Sequence, residues 1–277
     1  WFEAEWRDGY LYAMTSMQTG FMSGSSDLWR IDVRDPANPA ILGALEVPDG
    51  GESLSLGDGI AVVGGGSHKV IDQAVPDLPR VAADLAKPWR IGYVVAADGN
   101  LAVRDQAYGF EGAIEFIDLS DEHLPRRAGS IPLSGTVSAR GLVLRGHVAY
   151  AALREHGVLV IDAADPWVPR LVATVPPIAD VSALDVEGTT AYMAEADSDG
   201  GAAGALRVFD VHDPARPEEV GRLAGDFGTV AASGGFVYVG AATDGRVEVV
   251  DARDPAEPLR VAELSLDEYP RQLAADG

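Results

Sequence analysis

Six short phrases, each an apolar run closed by aspartate and followed by a proline-punctuated turn, constrain this chain more than anything else in it. They read IDVRDPANP from Ile31, IDQAVPDLP from Ile71, IDLSDEHLP from Ile117, IDAADPWVP from Ile161, FDVHDPARP from Phe209 and VDARDPAEP from Val250. The closing aspartates are Asp32, Asp72, Asp118, Asp162, Asp210 and Asp251, at gaps of 40, 46, 44, 48 and 41 residues. A period in the forties, carried by short β-runs and turns, predicts a β-propeller of four-stranded blades. Six complete copies predict six blades, with seven as the alternative. Because the copies run end to end, residues 1–277 are expected to form a single propeller domain of six repeats.

The fourth copy displays the unit most clearly. Residues 139–145 (ARGLVLR) read as strand a, 148–153 (VAYAAL) as strand b, 158–162 as strand c and 169–175 as strand d. Each run is rich in β-formers and bounded by Gly, Asp or Pro. The phrase has a mechanical explanation. Proline suits the first central position of a turn because its ring fixes φ, and the aspartate before it accepts a hydrogen bond from the turn backbone. The second proline cannot donate to a ladder, so it belongs where an edge strand begins.

Other copies vary. The first has a long b–c connection, residues 15–26, and the third an excursion at 104–112 (RDQAYGFEG). The fifth has a loop at 195–204 (EADSDGGAAG). The last residues, 271–277 (RQLAADG), read as one more strand a. The chain opens on Trp1 without a basic-then-apolar leader, which predicts a mature or trimmed piece.

Charge narrows the partners. Lys and Arg total 21 against 43 Asp and Glu, a net of −22. Such a surface repels nucleic acid and anionic lipid, and it favours cations and basic partners. No apolar run is long enough to span a bilayer. With no cysteine, disulfides and thiolate chemistry are excluded.

The phrase GVLVIDAADPWVP, from Gly157, resembles the LVIVD-repeat family of propeller-like proteins. The resemblance is close in copies one, four, five and six and worn in two and three. It implies the propeller fold and an extracellular, cell-surface or periplasmic location. It implies no reaction.

On a propeller the b–c and d–a connections share one face, where binding residues gather. The candidate ligand-binding residues there are Trp89, Arg90, Tyr108, Phe110, His68, Asp180, Tyr269 and Arg271. Trp89, Tyr108, Phe110 and Phe21 could line a channel mouth and grip a sugar or peptide, or simply cap it. Glu195, Asp197 and Asp199 alternate before a glycine pair and could wrap calcium, although no glutamate closes the loop at the twelfth position. A solvated acidic loop is the plainer expectation, and no other cofactor is implied. His156, with Arg154 and Glu155, is the candidate acid–base group. His68 and His156 fall in equivalent hairpins and are expected to be exposed. The function expected is a non-catalytic module binding a protein, peptide or glycan, as a monomer or part of a larger chain. The alternative is a hydrolase or lyase with its site at the channel mouth.

Overall fold

The computed structural model describes residues 3–16, 25–48, 51, 53–57, 59–64, 68–73, 79–85, 95–108, 111–121, 123–134, 139–197, 203–267, 270 and 272–275, with backbone alone at 16, 106–108 and 111. Every regular element among them is a strand. Blade 1 holds β1 (Glu3–Arg7), β2 (Tyr10–Ser16), β3 (Ser26–Asp32) and β4 (Ala40–Val47); blade 2 holds β5 (Ser53–Leu56), β6 (Ile60–Gly64), β7 (His68–Asp72) and β8 (Arg80–Leu85). Blade 3 holds β9 (Val95–Asp98), β10 (Leu101–Tyr108), β11 (Glu111–Asp118) and β12 (Arg126–Ser134); blade 4 holds β13 (Ala139–Arg145), β14 (Val148–Leu153), β15 (Gly157–Asp162) and β16 (Arg170–Val175). Blade 5 holds β17 (Asp180–Glu187), β18 (Thr190–Ala196), β19 (Ala205–Asp210) and β20 (Glu218–Ala224). Blade 6 holds β21 (Phe227–Ser233), β22 (Phe236–Ala241), β23 (Arg246–Asp251) and β24 (Leu259–Ser265).

Each blade is an antiparallel sheet in chain order, so the b–c and d–a connections leave one end and the a–b and c–d turns the other. All six predicted aspartates are the last residue of strand c. Four of them, Asp32, Asp118, Asp210 and Asp251, accept the amide two residues on at 2.8–3.1 Å. The turn aspartates do the same: the carboxylate of Asp165 accepts the Trp167 amide at 3.1 Å, while its carbonyl accepts Val168 N at 3.0 Å. The second proline stands immediately before strand d in every blade. Residues 272–275 form no strand, so that part of the expected extra strand a is corrected.

By their internal contacts the blades form two compact units. One comprises residues 1–138 with the c–d turn 163–169, and the other residues 139–162 with 170–277. In the first unit β1 packs on β5 and β5 on β9; in the second β13 packs on β17 and β17 on β21. Strand a is therefore the convergent strand within each unit. It is also a sheet edge, whose unpaired N–H groups need acceptors. The preceding blade supplies them. Glu5 accepts Leu56 N at 2.7 Å, Ser55 Oγ accepts Ala97 N at 2.9 Å, and Asp185 accepts Ala232 N at 2.8 Å.

The apolar core lies between sheets. Tyr150, Val160 and Val175 of blade 4 pack with Leu184, Met193 and Phe209 of blade 5, and Leu206 and Val208 of blade 5 pack with Val237, Val239 and Val250 of blade 6. Equivalent clusters join blades 1 to 2 and 2 to 3.

The six c–d pairs share one irregularity. Each slips register at the same place, leaving one extra residue on strand d. The residue that follows is always small: Gly43, Ala83, Gly129, Ala173, Gly221 or Ala262. The neighbouring Asp-Pro turn explains this. Gly129 N donates to Pro166 O at 2.7 Å, and a Cβ on Gly129 would overlap the Pro169 ring. A Cβ on Gly221 would overlap Pro255 O. Since that obstacle is backbone, Gly221→Val should destabilise by about 1–3 kcal/mol, the usual cost of overpacking. A thermal melt checks this, and an unchanged midpoint would show that the turn does not seat there.

Candidate binding face

The b–c and d–a ends of the blades do meet, through side chains at the start of strand a. Arg154, just after β14, donates to Asp180 at 2.6 Å, and Val181 N donates to Arg154 O at 2.9 Å. Asp226, just before β21, accepts both Asp197 N and Gly204 N at 3.0 Å, closing the neck of the blade-5 loop. In the first unit Gly51 N donates to Ser26 Oγ at 2.9 Å. A carboxylate or hydroxyl thus latches successive connections together on the predicted face.

Beneath this rim lies a set of ion pairs, each with at least one buried partner. Arg207 of β19 donates to Pro176 O at 2.8 Å and to Glu219 at 2.7 and 3.0 Å, and meets Glu195 at 3.4 Å. Glu195 is wholly buried and also accepts Ile178 N at 2.9 Å. Burial raises the Glu195 carboxyl above its ordinary range, against the opposing pull of the Ile178 amide and Arg207. For Glu219 burial also pushes upward, but Arg207 and Arg222 outweigh it and the net shift is down. In blade 3, Arg104 donates to the buried Glu115 at 2.8 Å, and Arg127 reaches the other oxygen of that carboxylate. Lys69 pairs with Asp84, and Glu248 with Arg260.

Several predicted residues take other places. His68 was expected on an exposed hairpin. It is the first residue of β7 and is only 5 % exposed. Burial, and then the charge of Arg104, lower its imidazole to about 3. Glu195 was expected in the acidic loop, but β18 continues through it and turns its carboxylate inward onto Arg207. The excursion at 104–112 is largely a paired hairpin of β10 and β11. His156 and Glu155 are exposed in the β14–β15 turn, and Arg154 is committed to Asp180. Asp180 is therefore on the predicted face, engaged as a latch. Trp89, Arg90, Phe110, Tyr269, Arg271, Asp199 and Phe21 lie outside the described residues, as does the side chain of Tyr108. Among the described residues no three acidic or histidine side chains gather as a metal cluster.

A crevice of about 460 Å³ lies between the outer strand of blade 4 and blade 5, lined by Thr174, Pro176, Arg207, Phe209, Pro217 and Glu219. The polar side chains Arg207 and Glu219 on its wall bind each other. Arg207 and Asp226 were missed from the sequence, yet a signal existed for the first. Lys69, Glu115, Arg207 and Glu248 all stand three residues before the aspartate that ends strand c, inside otherwise apolar runs.

The sheet order, shared slip and Asp-Pro turns of blade 6 coincide with a known repeat. Residues 224–263 match the LVIVD repeat model. The LVIVD repeat thus spans nearly all of blade 6, from just before β21 into β24. No curated protein sequence matches the chain. Among solved structures it is similar to a chain of the Mitotic Checkpoint Complex, at 12 % identity and a TM-score of 0.72, over 99 % of this chain and 83 % of that one. It is also similar to the periplasmic gluconolactonase PpgL of Pseudomonas aeruginosa, at 17 % identity and a TM-score of 0.73, over 96 % and 85 %. A third is the β-propeller domain of Myceliophteria thermophila Cps50 (Swd1), at 11 % and 0.68, over 94 % and 92 %. At such identities these likenesses establish the fold, a β-propeller, here with six four-stranded blades.

Proposed function

We propose that the chain is a non-catalytic interaction module, outside the cell or at its surface, that takes a basic protein or peptide on its b–c and d–a face. One observation carries this reading: the acids and arginines beneath that face are spent on one another and on loop amides. Arg154 holds Asp180, Asp226 holds the blade-5 loop, and Arg207 holds Glu195 and Glu219. Such a rim displays loops on a stiff frame, which suits recognition. The neighbour from the Mitotic Checkpoint Complex is a propeller within an assembly. A net charge of −22 favours a basic partner.

Titrating a labelled lysine- and arginine-rich peptide against the full chain tests this by fluorescence anisotropy. Binding should weaken as salt rises. Glu155→Lys, on the exposed rim, should weaken it further, while Glu257→Lys, in an exposed c–d turn at the opposite end of its blade, should not. Equal losses in both variants would reduce the binding to bulk charge attraction and remove the site. Chromogenic lactone, ester and glycoside substrates should give no turnover that His156→Ala abolishes. Turnover lost in that variant would overturn the reading in favour of an enzyme.

A further inference from the structure

The interior between blades 2 and 3 departs from the pattern of the other blades. In five blades the residue four places before the aspartate that ends strand c is apolar and buried: Leu28, Ile114, Val158, Leu206 and Val247. In blade 2 that residue is His68. Across the seam Arg104 of β10 takes the register position that Met193 holds in β18 and Val239 in β22. A histidine and an arginine thus stand where the repeat otherwise packs apolar side chains. His68, Arg104 and their neighbours named below all belong to one compact unit.

A second polar group converges on His68. Ser53, the first residue of β5, pairs with Gly64 at the end of β6 and is as buried as the histidine. A Cβ on Gly64 would stand 2.3 Å from Ser53 Oγ and 3.4 Å from His68 Cδ2. The hydroxyl and the ring edge that carries Nε2 therefore lie within about 6 Å of each other over one glycine. Neither Ser53 Oγ nor His68 Nε2 has a hydrogen-bond partner among the described residues. Folded proteins rarely leave one such buried atom unmet, and two that converge call for a shared partner.

The surroundings define that partner's chemistry. The charge of Arg104 acts on the imidazole and disfavours a cation there. An anion gains little from Arg104, whose guanidinium is held by the wholly buried Glu115 at 2.6 and 2.8 Å. What suits the place is a small neutral molecule that both donates and accepts, because a hydroxyl and a neutral imidazole nitrogen can each do either. The gap is about the span of one water making two hydrogen bonds of about 2.8 Å. We infer that a resident water bridges Ser53 Oγ and His68 Nε2 beneath the loop end of blades 2 and 3. It fills the usual role of an internal water, completing buried polar groups that the chain itself leaves unmet. The site does not depend on the function proposed above.

Water-selected NOE spectroscopy of the full chain, with its histidines isotopically labelled, tests the inference. The ring protons on either side of His68 Nε2 should receive magnetisation from a long-lived water at neutral pH. Ser53→Ala removes one anchor and should remove most of that transfer. Thr229→Val serves as the control. Its hydroxyl in blade 6 is also buried without a partner among the described residues, but it faces Pro270 across Gly240 instead of a histidine. That variant should leave the His68 signal unchanged. Circular dichroism melts confirm that both variants remain folded. A parent protein with no transfer from water to His68 overturns the inference. So does equal loss in the two variants. A His68 signal that shifts in Ser53→Ala without any water transfer in the parent would mean that the hydroxyl bonds the ring directly, and this too overturns it.

Discussion

Arg207→Ala should lower stability by about 3–5 kcal/mol, the cost of stranding a buried charge by removing its partner. The stranded group is Glu195, wholly buried, left with the Ile178 amide as a donor. Glu219 loses the same guanidinium but keeps Arg222 at 2.6 Å, so the penalty concentrates on Glu195. Two further outcomes separate this cause from lost packing. The Glu195 carboxyl is already raised by burial, and the variant raises it more. A carboxyl whose folded value exceeds its unfolded value binds its proton more readily when folded, so acidification favours the folded state. The deficit of Arg207→Ala against the parent should therefore shrink between pH 7 and pH 5. Adding Glu195→Gln should recover much of the loss at pH 7. Urea midpoints, with slopes compared, measure all three. A deficit indifferent to pH and to Glu195→Gln would assign the effect to a cavity instead.

The charges of this pair also explain where sequence patterning failed. Blade 4 was legible almost to the residue: 139–145 and 148–153 are β13 and β14, and Asp162 ends β15 as expected. Its two central strands, β14 and β15, are apolar up to Asp162, so composition and structure agree. The other blades hide charge inside strands. Glu195 and the run from Arg104 resemble loop because their partners, Arg207 and Glu115, belong to the neighbouring strand. His68 looked exposed because a hairpin of glycines precedes it, yet β7 starts on it. The first two misses share one cause: neutralisation across strands cannot be seen in the composition of either strand alone. The turns were legible for the opposite reason, since Asp and Pro act on their own backbone within three residues. The latches of the binding face fall between these cases. Asp180 was placed on the correct face by counting connections, but its commitment to Arg154 appears only when two blades are set side by side.

The recurrence of opposite charges on strands c and d has a structural logic. Glu115 meets Arg127, Arg207 meets Glu219 and Glu248 meets Arg260, with the signs exchanged between blades. The residues Arg127, Glu219 and Arg260 sit at the same side of the shared slip. An ion pair made across an extra residue holds that residue in place, because any other register separates the charges. Such half-buried pairs add little net stability but can fix one arrangement over another. Here the arrangement fixed is the one that puts Gly or Ala beneath the next Asp-Pro turn.

His68 gives the chain a destabilising response to mild acid. Its imidazole is buried beside Arg104 and falls to about 3, against an ordinary value near 6.5. Its Nε2 has no hydrogen-bond partner among the described residues. An unfolded chain takes up a proton at this residue below pH 6.5, while the folded one remains neutral. Stability is therefore full above pH 6.5 and is lost as pH falls toward 3. The loss accumulates at about 1.4 kcal/mol per pH unit, or about 2 kcal/mol at pH 5. Asp32 and Asp251 do not confuse this window, since the Arg34 and Arg253 side chains hold them down near 2. The half-buried Asp185 and the buried Glu195 are both raised and push the other way, gaining stability on acidification. Comparison with His68→Gln cancels them. The parent should lose about 2 kcal/mol more than the variant between pH 7 and pH 5, whatever the variant's stability at pH 7. Parallel pH dependence in the two proteins would show that His68 titrates normally in the folded chain and is therefore not enclosed beside Arg104 as described.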